Sequence, residues 1–276
     1  MARAQSSLPR RIPRSLEELI EAARDAAVTV SGADRSNWSG QLQNARHIRG
    51  MPITGEATWG HGLRLDYGYV MAPLRQMYAS PGVRHDAATL LKYRRAVETL
   101  FHEHVHLLSA HGTDHTEVEP YMRHTSVQAL EEGVTEAYAF AKLDDFVDEV
   151  GIEQIAPAIK EVDDPPTLTP EALELTRLAD RVCTEVPGLD GGEVLRRLAV
   201  VNPRDKWGQV TRITWDASGL QAVVPPAQHA EAEVRLGRRM WDAYAGQTAE
   251  VVFQAGQSEI HAIRQEVSAT GRLTFR

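Results

Sequence analysis

Apolar residues along this chain recur mostly at helical spacing. Between Asp86 and Ala110 neither Gly nor Pro occurs, and Leu90, Tyr93, Val97, Leu100, Phe101, Val105 and Leu108 form one stripe. That is the pattern of an amphipathic helix packed on a core, with Asp86 placed to cap its start and Gly112 to stop it. A second run covers 126–150, SVQALEEGVTEAYAFAKLDDFVDEV. An earlier helix runs from Leu16 to about Val30, capped by Ser15, with Glu17, Glu18 and Glu21 near its favourable N-terminal end. Downstream, Thr169-Pro170-Glu171 opens a helix over 170–185, residues 193–201 form another that ends near Pro203, and 225–246 form a long one closed by Gly246. Period-two alternation is clearest over 53–73, where Gly60-His61-Gly62 reads as a turn, predicting a small β-hairpin ahead of the 86–110 helix. Residues 31–50 read as loop-rich. WGQVTRITW, 207–215, divides between β-branched composition and helical surroundings, and 247–276 gives mixed signals.

The elements predict a mainly α (α+β) fold. Residues 1–14 read as a disordered tail, 15–162 as a domain holding the hairpin and the two long helices, and 163–276, opened by DDPPTLTP, as a mostly helical subdomain packed on it. With 276 residues, 42% hydrophobic and 25% charged, the chain can bury an ordinary core. A net charge of −8 argues against a nucleic-acid partner, despite Arg3, Arg10, Arg11 and Arg14 in the tail. No apolar stretch approaches a membrane span, and the basic start has no apolar core behind it to make a secretory signal. The single Cys183 rules out an internal disulfide and reads as a small core residue. The expectation is a cytoplasmic protein with neither nucleic acid nor membrane as partner.

The chemistry lies in the first long helix. His102-Glu103-x-x-His106 spells H-E-x-x-H, and residues four apart on an α-helix present their side chains on one face. Two neutral imidazoles there can hold one zinc ion, while Glu103, next round the helix, can reach a metal-bound water. On a strand His102, His104 and His106 would share a face instead, but the flanking periodicity is helical and turns His104 away. A zinc hydrolase needs a third protein ligand, which a carboxylate from the second long helix can supply. There Glu132 and Glu136 share a face while Glu131 points elsewhere, and Glu136 is placed to accept a ligating histidine's free ring N–H. An aspartate such as Asp114 is a rival third ligand. Asp144, Asp145, Asp148 and Glu149 read as a solvated face. Tyr121, Tyr138, His229 and Tyr244 are candidate donors to an oxyanion, with no spacing to choose among them. No Gly-rich phosphate loop, Ser/His/Asp set or Cys-based metal motif is present.

His102-Glu103-x-x-His106 followed by Leu130-Glu131-Glu132-Gly133-Val134-Thr135-Glu136 resembles the gluzincin metallopeptidases, over about 35 of the 276 residues. The resemblance implies a zincin-like site with His102, His106 and Glu132 as zinc ligands, Glu103 as general base and Glu136 as the acid that orients a ligand. It also implies a peptide or protein substrate lying along an edge strand beside the metal helix. Glu131 stands where those families carry Asn, and residues 107–131 between the second histidine and Glu132 form a longer connection than theirs, so an insertion such as SAHGTDHTEVEPY must loop out.

Overall fold

Capping and burial explain where each element begins. A computed structural model describes residues 12–45, 54–109, 119–165, 168–184, 189–244 and 247–273. Ser15 Oγ accepts the Glu18 N–H and opens α1, Leu16–Ser31, which Gly32 closes in the left-handed conformation at φ 66°. Two short strands follow, β1 (Arg35–Ser36) and β2 (Leu42–Ala45), within the stretch expected to be loop. The expected hairpin is present: β3 (Gly55–Ala57) and β4 (Leu63–Asp66) pair antiparallel, with Glu56 opposite Arg64. β2 joins β4 in parallel, giving the order β2-β4-β3, so that among the described residues β3 lies at an edge of the sheet.

The strand pattern read through residue 73 stops early. Asp66 Oδ1 accepts the Tyr69 N–H at 2.8 Å, and this cap starts a π-helical turn over Tyr67–Met71 that leads into α2, Ala72–Ala79. Val70, Met71, Leu74 and Met77 are thereby buried. Helical burial of four apolar side chains overrides the aromatic, β-prone composition of this segment.

The metal-motif helix is α3, Ala87–His106, with Asp86 Oδ1 accepting the Thr89 N–H at 2.8 Å. It ends four residues before the expected limit, because β5 (Leu108–Ser109) pairs antiparallel with β1. The expected stop, Gly112, lies outside the described residues. Two further helices follow, α4 (Glu119–Met122) and the 26-residue α5 (Thr125–Val150).

The chain divides into two units, residues 1–111 with 139–166, and residues 112–138 with 167–276. The sequence reading set 112–138 with the first domain, whereas here they cluster with the C-terminal helices and α5 contributes to both units. In the first unit, Phe101 of α3 stacks on Phe146 of α5 with ring centroids 4.3 Å apart.

After residue 168 the described residues of the second unit form helices joined by short turns, with no strand among them. Thr169 caps α6 (Pro170–Cys183), Asp190 caps α7 (Gly191–Ala199) and Asn202 caps α8 (Pro203–Ser218); α9 (His229–Tyr244) and α10 (Ala249–Thr270) follow. The ambiguous 207–215 is helix, burying Val210, Ile213 and Trp215, and most of the mixed tail is the 22-residue α10. The fold is mainly α with small sheets, and among the described residues no helix is long and apolar enough to cross a membrane.

Close packing of α6 on α5 requires Gly133. A Cβ there would fall 2.6 Å from Leu175 Cδ1 and 3.1 Å from the Glu171 carbonyl carbon. Replacing a mid-helix glycine by alanine normally stabilises by about 0.5–1 kcal/mol, while overpacking a filled core costs about 1–3 kcal/mol. Gly133→Ala is therefore expected to lower the unfolding free energy by about 1–2 kcal/mol, read from urea denaturation midpoints.

Candidate metal centre

Helix α3 brings its two histidines together as the four-residue spacing requires. His102 Nε2 and His106 Nε2 are 3.0 Å apart, with ring centroids at 4.7 Å and planes 79° apart. Glu132, on α5, completes the group: one ligand-type atom from each of His102, His106 and Glu132 lies within 4.8 Å of the others. Ligands about 2.0–2.1 Å from one tetrahedral zinc stand about 3.3 Å from each other. The histidine pair already has nearly that separation, and two imidazoles with one carboxylate form a donor set that zinc accepts.

The three glutamates of α5 that compete for the ligand role have different surroundings. Glu131 is buried, with Lys206 Nζ 3.2 Å from its Oε2 and the Thr135 hydroxyl donating to Oε1. Glu136 accepts the Thr169 N–H at 3.0 Å through Oε1 and the Thr169 hydroxyl through Oε2. These bonds brace the residue that caps α6, and Glu136 is not in the group of His102, His106 and Glu132. Glu132 is exposed and is the one of the three grouped with the histidines.

Glu103 is buried beside the small sheet. It is only 4% exposed and lies against the backbone of Gly55 in β3. His104 is wholly buried, edge-on to the Trp38 ring at 5.4 Å, and burial pushes its pKa down to about 3, so it is a neutral core residue. The helical backbone disposes of the alternative in which three alternate histidines share a strand face.

His111, Asp114 and His115 fall outside the described residues. The oxyanion-donor candidates differ in setting. Tyr121 is exposed and Tyr138 buried, while His229 Nε2 bonds to the Val224 carbonyl at 2.9 Å. Tyr244 packs with Trp207 and Trp241, and burial pushes its phenol up to about 12. Sequence reasoning missed Gly55, Lys206 and Thr169. A glycine in a short strand, a lysine after a helix cap and a threonine cap carry no mark of their long-range partners.

Comparison with protein-family models, with curated proteins and with solved structures finds no match to the chain. The likeness to gluzincins thus stays at the level of the motif and the donor group.

Lys206 is the cation that balances Glu131. Its ammonium donates to the Leu198 and Val201 carbonyls, each at 2.8 Å, and it is 1% exposed. Burial pulls its pKa below the usual lysine value, and Glu131 opposes that shift. Removing one partner of a buried pair leaves an uncompensated charge, a loss of about 3–5 kcal/mol. Lys206→Met should show a loss of that size in urea unfolding, and Lys206→Met with Glu131→Leu should regain most of it. A double variant no more stable than the single one contradicts the pairing.

Proposed function

We propose that this protein is a zinc-dependent hydrolase, acting most naturally on peptide bonds, with His102, His106 and Glu132 as ligands and Glu103 as general base. The observation that carries the reading is the grouping of two imidazoles and one carboxylate from separate helices, with a sheltered glutamate following the first histidine. Bound at these donors, zinc would supply Lewis acidity, polarising a carbonyl and acidifying water.

The chain's own residues then have distinct tasks. Glu103 takes a proton from the attacking water on its carboxylate and returns it to the leaving amine. That carboxylate is shielded from bulk solvent. The small sheet next to α3 leaves β3 as an edge, a setting in which an extended polypeptide can be held by main-chain hydrogen bonds.

Two variants separate the roles. Glu103→Gln should keep one zinc per chain by elemental analysis, yet lose hydrolysis of a quenched-fluorescence peptide library by about 10²–10⁴-fold. His102→Ala should lose both zinc and activity. Full hydrolysis by Glu103→Gln rules out the base assignment, and zinc retained at full stoichiometry by His102→Ala rules out the ligand set.

A further inference from the structure

Glu103 occupies space that any residue other than glycine would claim at position 55. An ideal Cβ on Gly55 would sit 2.5 Å from Glu103 Oε1, 2.7 Å from Cγ and 2.8 Å from Cδ. Carbon atoms in contact normally keep about 3.5–4.0 Å. The requirement is steric alone, because Gly55 is not among the glycines with positive φ and its backbone is one that alanine can adopt.

The strand is not free to yield. Gly55 pairs with Leu65 in the ladder, the Asp66 N–H donates to the neighbouring Thr54 carbonyl at 2.8 Å, and the Thr54 and Thr99 hydroxyls meet at 3.5 Å, tying this end of β3 to α3. The helix is equally held, since Leu100, Phe101 and His104 around Glu103 are each fully buried. A methyl group at position 55 must therefore move the carboxylate, by roughly 1 Å to restore ordinary contact.

We infer that Gly55 is a positioning residue for Glu103: the bare backbone of an edge strand sets where the carboxylate stands relative to the histidine face of α3. The catalytic consequence rests on the hydrolase reading given above, whereas the steric coupling of the two residues does not. The class of substrate is unchanged by this assignment. What it adds is that strand and base act as one mechanical unit.

The test uses the zinc-loaded full-length chain and a quenched-fluorescence peptide library. Gly55→Ala is expected to lower kcat by about 10²-fold, the scale of a 1 Å misplacement, with KM and zinc content near wild type. In the Glu103→Ala background, which removes Cγ, Cδ and Oε1, the same substitution should cost far less stability in urea unfolding than it costs in wild type, a non-additivity that only coupled residues give. Equal losses of stability in both backgrounds, or no loss of kcat in wild type, overturn the inference. If Gly55→Ala does not fold, recovery of folding in the double variant upholds it and failure to recover overturns it. Should the zinc-loaded wild type hydrolyse nothing, the hydrolase reading falls by itself. The coupling is then decided by urea unfolding, where a destabilisation by Gly55→Ala that vanishes in the Glu103→Ala background supports it and one that persists overturns it.

Discussion

Three consecutive residues of α5 must face three different surroundings at once, and that rotational constraint governs the candidate chemistry. Residues on an α-helix step round by about 100°, so Glu131, Glu132 and Gly133 cannot share a neighbour. Glu131 turns inward to Lys206, Gly133 presents its bare backbone to α6, and Glu132 is left exposed. Each assignment implies the other two. A buried carboxylate without Lys206 carries a desolvation penalty of several kcal/mol, and a side chain at position 133 collides with Leu175. The orientation of Glu132 is thus set by its neighbours in sequence, Glu131 and Gly133.

The same logic runs through α3. His102 pairs with His106, Glu103 lies on Gly55, and His104 is enclosed beside Trp38. The buried polar groups are handled in different ways. Glu131 is paired with Lys206, while His104 gives up its proton because its desolvation outweighs the Ile20 backbone and Asp25, which favour the charged form. The close approach of Glu103 to a strand backbone depends on one small residue, so the hairpin takes part in the site rather than merely flanking it.

Much of the fold was legible because local signals were strong. Ser15, Asp86 and Thr169 cap the helices they were read to cap, each side-chain oxygen satisfying an N–H that a helix start leaves open. Other segments misled for identifiable reasons. Tyr67–Met71 has strand composition, but the Asp66 cap and the burial of Val70 and Met71, continued by Leu74 and Met77 in α2, make it helical. Leu108 continues the stripe of α3 yet joins a two-residue ladder with β1, a pairing across more than seventy residues that no local pattern encodes. The tail did carry a helical repeat, with Val252, Phe253, Gly256, Ile260, Ile263 and Val267 buried at spacings of one, three and four, but the small and polar residues between them hid it.

For the candidate site, the sequence alone determined the donor types and half their geometry. The i,i+4 spacing fixes His102 beside His106 in any helix, because helical pitch is a local property. The sequence also offered a carboxylate on a second amphipathic helix as a candidate third donor, with Asp114 as a rival. Among Glu131, Glu132 and Glu136 the resemblance pointed to Glu132, while the engagement of the other two by Lys206 and Thr169, far along the chain, is a tertiary feature. The place of Glu103 against Gly55 was likewise beyond the sequence. Such contacts depend on which distant backbone arrives at a given face, and chain closure over long separations leaves no periodic trace in the residues themselves.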